Sequence, residues 1–332
     1  MKPRYHSAKT ILAPLNAMRS KGISVAQALT GTGLSLSILN RPEQHVHLSQ
    51  ELVFLRNLRT VSRDPMVGLK VGACYPLSLF GIYGYALMSA QNVGEALRLA
   101  YQFVELSFAF YDHEFTAEDD VLVMTMQAQE YADEDIPMLN EREVMATMMI
   151  LRGLLGDDFS PLKVQFSHSP QGKKLIYREL LNCAVEFDCD SNNIQLPMAV
   201  LETPLLQCDS DTAALCIDRC ERLKARLDEE VSIVDEVRER LLLRPGYFPN
   251  IESLAAQLNI SGRTLRRRLA EQNTGYQQIV DQIRYELARE YLSGTDIGIE
   301  QISALLGYSD PAHFSHAFRR WSGSSPSCFR DQ

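Results

Sequence analysis

From Ser232 to Gln332 the chain has no lysine at all. Its basic residues there are 12 arginines, balanced by 12 Asp or Glu. The first 231 residues hold 21 basic against 30 acidic side chains, so the whole net charge of −9 lies in that part. An acidic N-terminal part is a poor surface for a polyanion, whereas a neutral C-terminal part with clustered arginines can bind one. Paired cysteines are also lacking. Seven are present, an odd number, and Cys216-x3-Cys220, the nearest pair, has the spacing of one helical turn, not of a zinc site. No run of 18 apolar residues occurs and no secretory leader pattern opens the sequence, so no membrane partner and a cytoplasmic location are expected. Nucleophile elbow, P-loop, Rossmann glycine pattern and HExxH are all absent, which argues against an enzyme and against a bound cofactor.

The 332 residues suit two domains. Up to about residue 70 the apolar spacing is helical, as in Ala8 to Lys21 and Ser49 to Ser62. Asn92 is a fitting N-cap with Glu95 three residues on. His113 to Ala117 and Val121 to Ala128 alternate as strands about the acidic turn Glu118-Asp119-Asp120. Asn140 to Leu155 predicts a long helix ended by Gly156, and Lys163 to His168 a strand. Gly172 to Asn182 reads as helix, followed by short strands at 185–188 and 193–196. An α+β domain over 1–205 follows. Cys208 to Leu243 reads as continuous helix, and a helical linker is placed at 206–245, broken by Arg244-Pro245-Gly246. An all-α domain occupies 246–332.

That last domain contains two helix-turn-helix patterns, at 251–272 and 299–322. In the first, Ile251 to Leu258 is the supporting helix and Ser261 caps the next one. Leu265 and Leu269 face inward there, which turns Arg263, Arg266, Arg267 and Ala270 outward, as a helix in a major groove requires. An arginine fork suits guanine O6/N7 or a phosphate. In the second pattern, Gly307 makes the turn and Phe314, Phe318 and Trp321 point inward. Ala312, His316 and Arg319 face out, with His313 at the edge and Pro311 in the first turn. Two histidines three apart, with only Asp310 near, are too few for a metal site, and no metal is expected. The apolar-periodic stretch from Tyr276 to Leu292 joins the patterns. At about 1.5 Å per residue it spans roughly 25 Å, near the scale that sets two helices in successive groove segments.

The motifs of residues 235–332 resemble those of AraC/XylS-type transcriptional regulators. They include Ser261-x3-Leu265-x-Arg267, Arg284-x3-Ala288-x3-Leu292, Ile299-x2-Ile302-Ser303, Leu306-Gly307-Tyr308, Phe314-x3-Phe318-Arg319 and Gly323-x-Ser325-Pro326-x2-Phe329-Arg330. The resemblance places DNA contacts on Arg263, Arg266 and Arg267 and on Pro311, Ala312, His313 and His316. The family usually has polar residues where Pro311 and Ala312 stand. Phosphate anchoring or thymine-methyl contact therefore suits the second helix better than base reading. Gly81-x2-Gly84, Val93-Gly94-Glu95-Ala96-Leu97, Pro161-x2-Val164-x-Phe166-x-His168, Tyr177-x5-Cys183-x-Val185-x-Phe187 and Pro204-Leu205 resemble the arabinose-binding-type N-terminal domain of ornithine-regulator-like members. The helical content does not suit a cupin barrel, so sugar chemistry is not implied.

These readings converge on a DNA-binding regulator, expected to be an activator and a homodimer that contacts promoter DNA and RNA polymerase. A small molecule in the N-terminal domain would control it. The alternative is a ligand-independent regulator acting through protein partners. Phe80, Tyr83, Tyr101 and Phe103 are the expected effector-lining residues, although aromatic residues on helix faces are more often plain core. Their apolar character favours a fatty acid over an amino acid as effector.

Overall fold

The computed structural model describes residues 5–41, 44–127, 131–230, 232–243, 246–295 and 297–330. The chain divides into two units: Met1–Leu29 with Leu34–Glu229, and Thr30–Gly33 with Glu230–Gln332.

The first unit begins with β1 (Tyr5–Ser7), α1 (Lys9–Arg19), α2 (Val25–Leu29), α3 (Leu36–Leu39), β2 (His45–His47) and α4 (Leu48–Ser62). β1 and β2 pair antiparallel. The helical pattern expected over residues 1–70 thus contains two strands. Three residues each, joined across almost forty, are too short to show a period. α5 (Val67–Gly72), α6 (Ile82–Met88) and α7 (Val93–Gln102) follow. Asn92 caps α7 as expected, its side-chain oxygen accepting from the Glu95 amide at 2.9 Å. Next come β3 (Asp112–Glu118), β4 (Val121–Gln127), α8 (Ile136–Leu155), β5 (Lys163–Gln165), α9 (Lys174–Leu181), β6 (Ala184–Glu186), β7 (Asn192–Pro197) and α10 (Ser210–Glu230). Residue 128, expected at the end of a strand, lies outside the described residues. The five-stranded sheet runs β3-β4-β7-β5-β6, antiparallel except for the parallel pair β5–β6. Asp119 supplies the left-handed residue (φ 49°) of the β3–β4 turn.

α5 packs directly along α8, and two glycines permit it. A Cβ on Gly68 would stand 2.4 Å from the Met138 carbonyl, and one on Gly72 2.6 Å from that of Arg142. Leu52, Leu55 and Leu58 of α4, Leu139, Val144 and Leu151 of α8, and Val164, Ile194 and Leu196 of the sheet are fully buried. Each such side chain contributes about 1.5–3 kcal/mol.

Charged groups are buried among them. Arg142 Nη2 donates to Glu51 Oε1 at 2.7 Å, while its Nη1 donates to the Phe108 carbonyl at 2.8 Å and to Glu143 at 3.2 Å. Glu51 also accepts from Thr10 at 2.6 Å and lies 2.6 Å from His6 Nδ1. The guanidinium rests over the rings of Phe110 and Tyr75. Burial pushes the Glu51 carboxyl up, but Arg142 and His6 outweigh it and hold the group below its ordinary value.

A second buried cluster centres on Glu141, the residue before Arg142 on α8. The Tyr177 hydroxyl donates to Glu141, whose Oε1 is 4.0 Å from His168 Nε2. Burial raises the Glu141 carboxyl to about 8 and lowers His168 to about 4. A carboxyl raised in the fold releases its proton earlier when unfolded, so stability falls as pH rises from 4.5 to about 8. The lowered imidazole acts oppositely between about 4 and 6.5, and the two slopes cancel there. We therefore expect a net loss confined to pH 6.5–8, about 2 kcal/mol at ~1.4 kcal/mol per pH unit. Glu141→Gln should abolish that loss in urea unfolding followed across this range; an unchanged slope would remove Glu141 as its source.

The second unit contains α11 (Ile233–Leu243), α12 (Ile251–Gln257), α13 (Gly262–Glu271), α14 (Tyr276–Gly294), α15 (Ile299–Leu305), α16 (Pro311–Ser322) and α17 (Pro326–Arg330). The stretch expected as one helix from Cys208 to Leu243 is interrupted at Ser232, which is not helical. Its halves have different partners. Cys216 and Cys220 of α10 are buried, and Lys224 pairs with Glu105 at 2.9 Å inside the first unit. Ile233, Val237 and Leu241 of α11 join one core with Leu254, Leu265, Leu269, Ile283, Ile302, Phe314 and Phe318. The unit boundary therefore falls at Glu229/Glu230, inside the expected 206–245 linker. Two helices with separate apolar faces read in the sequence as one long period.

Candidate nucleic-acid interface

The two helix-turn-helix units are built alike. In the first, Asn250 caps α12 by accepting from the Ser253 amide at 2.8 Å. Asn259 takes a left-handed conformation (φ 54°), and the Ile260 amide donates back to the Ala255 carbonyl at 3.0 Å. Ser261 then caps α13 through the Thr264 amide at 3.1 Å. In the second, Gly307 occupies the left-handed position (φ 71°), and the Tyr308 amide donates to the Ser303 carbonyl at 3.0 Å. Asp310 caps α16 by accepting from the Ala312 amide at 2.7 Å. Glycine is required at 307, because a Cβ there would lie 2.2 Å from the Gly246 carbonyl oxygen. Arg284 fastens the same corner: its guanidinium lies over Phe248 (4.4 Å) and Tyr308 (4.3 Å), and its Nε donates to the Leu306 carbonyl at 3.1 Å.

Aligning the two caps gives the correspondence between recognition helices. Buried Leu265 and Leu269 match buried Phe314 and Phe318. The outward positions Arg263, Arg266, Arg267 and Ala270 match Ala312, Ser315, His316 and Arg319. All are exposed except half-buried Ser315. Pro311 is half-buried at the first position of α16, and His313 is exposed beside it. Arg263, Arg266 and Arg267 thus share one exposed face of α13, and Ala312, His316 and Arg319 one exposed face of α16, with Pro311 and His313 to either side of it. α14, at 19 residues, is about 28 Å long.

The arginines are not equally free. Arg266 is paired with Glu252 of α12, and that contact holds the Glu252 carboxyl below its ordinary value. Arg267 Nη1 donates to Glu271 at 2.5 Å, one turn along the same helix. Arg320 pairs with Asp281 at 2.7 Å. Arg263, Arg268, His313, His316 and Arg319 have no ion pair among the described residues. Glu252 and Glu271 are functional neighbours that no motif in the sequence singles out. The Arg267-x3-Glu271 spacing is a local signal for the second pair, whereas Glu252 meets Arg266 only across the turn.

In the first unit, Phe80, Tyr83 and Phe103 are buried, with Phe80 stacked on Phe108 at 4.4 Å and edge-on to Tyr83 at 5.9 Å. Tyr101 departs from the expected group. It is 64% exposed on the outer face of α7, touching Phe115 of β3. One residue's step on a helix turns a side chain by about 100°, enough to separate Tyr101 from its neighbours. No group of His, Cys, Asp and Glu suited to a metal ion occurs among the described residues, and none of the described helices is long and apolar enough to cross a membrane.

Residues 22–205 match the family model of the arabinose-binding domain of AraC transcription regulators, N-terminal part, and residues 254–332 match that of a helix-turn-helix domain. The chain is similar to the ornithine utilization regulator of Pseudomonas aeruginosa, with 30% identity over 325 residues, covering 96% of this chain and 94% of that one. It is also 30% identical over 275 residues to the HTH-type transcriptional regulator VqsM of the same organism, covering 80% of this chain and 83% of that one. The crystal structure of the transcriptional regulator CdpR from Pseudomonas aeruginosa shares the fold, with a TM-score of 0.51, 24% identity and 98% of each chain covered. With its paired helix-turn-helix units behind an arabinose-binding-type domain, the chain belongs to the AraC family of DNA-binding transcriptional regulators.

Proposed function

We propose that this regulator is an activator controlled by a small molecule held in its first unit, and that α13 and α16 together read one operator. What carries the reading is the shared core of the two helix-turn-helix units, which fixes both outward faces on a single body. α13 offers three arginines suited to guanine edges and phosphates, with Arg263 unpaired among the described residues. α16 offers Pro311, Ala312, His313, His316 and Arg319, a smaller and less charged face suited to thymine methyls and backbone anchoring. Scrambling the α13 half of the operator should therefore cost more affinity than scrambling the α16 half.

Arg267→Ala is expected to weaken operator binding by about 1–3 kcal/mol. Gel-shift titration on a duplex selected from a randomised library measures this, and an unchanged affinity would take Arg267 off the contact surface. For the first unit, the stacked Phe80–Phe108 pair with buried Tyr83 and Phe103 favours an apolar or amphipathic effector such as a fatty acid. A saturable thermal shift with straight-chain fatty acids, absent with amino acids, would support that choice; the reverse pattern would overturn it. An effector acts by binding one arrangement of the two units more tightly than another. Homodimerisation, recruitment of RNA polymerase and a cytoplasmic location belong to the same reading. Transcription from a promoter carrying the selected site, with and without effector, tests the activator role.

A further inference from the structure

We propose that Glu271 is a specificity determinant, a positioning residue that presents the guanine-reading edge of Arg267 and denies that arginine to phosphate. The inference rests on the reading of α13 as a recognition helix. Arg267 Nη1 donates to Glu271 Oε1 at 2.5 Å, and its Nε and Nη2 make no hydrogen bond among the described residues. Nε and Nη2 form one edge of the guanidinium, the edge whose two parallel N–H groups match guanine O6 and N7. The contact with Glu271 therefore occupies the arginine from behind and leaves a whole bidentate edge open. The partner of Arg266 does not do this. Glu252 is held by Nη2, the nitrogen common to both edges of the guanidinium.

The carboxylate has opposite effects on the two kinds of DNA contact. A guanine edge is neutral overall and accepts two hydrogen bonds, so Arg267 can engage it with Glu271 still in place. A phosphate oxygen is anionic and must approach the same arginine against the charge of Glu271. Non-specific binding consists almost entirely of phosphate contacts, so Glu271 lowers it selectively. The second helix-turn-helix lacks this device among the described residues. The position of α16 that matches Glu271 is Arg320, and the position that matches Arg267 is His316. Arg320 adds positive charge where α13 has negative, and its own partner Asp281 comes from α14. α13 is thus the discriminating helix by construction and α16 the backbone-anchored one.

The test uses the full chain, a duplex selected from a randomised library, and a shuffled duplex of the same composition. Binding to both is measured over a range of salt concentrations for the parent, Glu271→Gln, Glu252→Gln and Arg267→Ala. Glu271→Gln keeps the shape and a hydrogen-bond acceptor but removes the charge, at an exposed site where folding is undisturbed. The shuffled duplex should bind about three- to tenfold tighter, with a salt slope steeper by about 0.9, and the selected duplex nearly as before. The specificity ratio therefore falls. A merely structural role for Glu271 would not raise affinity for shuffled DNA. The proposal is overturned if both affinities move together, if the shuffled duplex binds no tighter, or if Glu252→Gln lowers the ratio as much. Arg267→Ala separates the two levels: if it leaves the selected duplex equally well bound, the contact assignment beneath the proposal is wrong, whatever Glu271 does.

Discussion

Glu51→Ala should lower the stability of the first unit by about 3–5 kcal/mol. Glu51 is fully buried and is the common acceptor of three groups: Arg142, Thr10 and His6. Its removal leaves the buried Arg142 guanidinium with Glu143, at 3.2 Å, as its one remaining ion-pair partner among the described residues. It also strips His6 of its carboxylate partner, and the other ring nitrogen of His6 has no hydrogen-bond partner among the described residues. The size of the effect comes from stranding a charge, not from the worth of the ion pair itself. Because the folded Glu51 carboxyl is held below its ordinary value, its contribution is complete above about pH 4.5 and fades as pH falls through the lowered value. The parent should therefore lose stability on acidification more steeply than the variant. Urea unfolding followed by circular dichroism checks both points, and a loss under about 1 kcal/mol would show the cluster to be dispensable.

Gly307→Ala should destabilise the second unit by about 3 kcal/mol or more. Two penalties coincide at this position. The left-handed backbone (φ 71°) disfavours any side chain, and the new Cβ would lie 2.2 Å from the Gly246 carbonyl oxygen. Gly323 separates them, since it has φ 79° while a Cβ added there would meet nothing within 4 Å. Gly323→Ala should cost only the backbone share, about 1–2 kcal/mol. The sole tryptophan, Trp321, lies in α16 against Tyr285, so its fluorescence reports this unit's unfolding. Equal losses for the two variants would mean that the Gly246 loop yields freely. The loss at 307 should carry through to DNA binding, because the Gly246 and Arg284 contacts hold the corner between α15 and α16.

The helix-turn-helix units were legible because everything that defines them is local. Ser261, Leu265 and Leu269, or Gly307, Phe314 and Phe318, sit within a dozen residues of one another, and caps, turns and inward faces follow from spacing alone. The hairpin of β3 and β4 was legible for the same reason. What escaped depended on distant partners. β1 and β2 are three residues each and form only when brought together across α1, α2 and α3. The break at Ser232 has no proline or glycine to mark it. It shows only in which core each half enters, with Cys216 and Cys220 in one and Val237 and Leu241 in the other. Glu51, Arg142 and Glu141 carry no signal in the sequence, because no local pattern shows that a charge will meet its partner 91 residues away, as Arg142 meets Glu51. At the interface, sequence placed the arginines outward but was silent on which of them carry carboxylate partners.

α13 and α16, carried on one core, are expected to read a duplex jointly. Selection of randomised duplexes by the full chain, followed by sequencing of the bound fraction, tests it most directly. Joint reading gives two enriched blocks with centres about one helical turn, or about 10–10.5 base pairs, apart. The block facing α13 should contain the more strongly fixed guanines, and the block facing α16 should be weaker. A single short block, or two blocks without a fixed spacing, would contradict it.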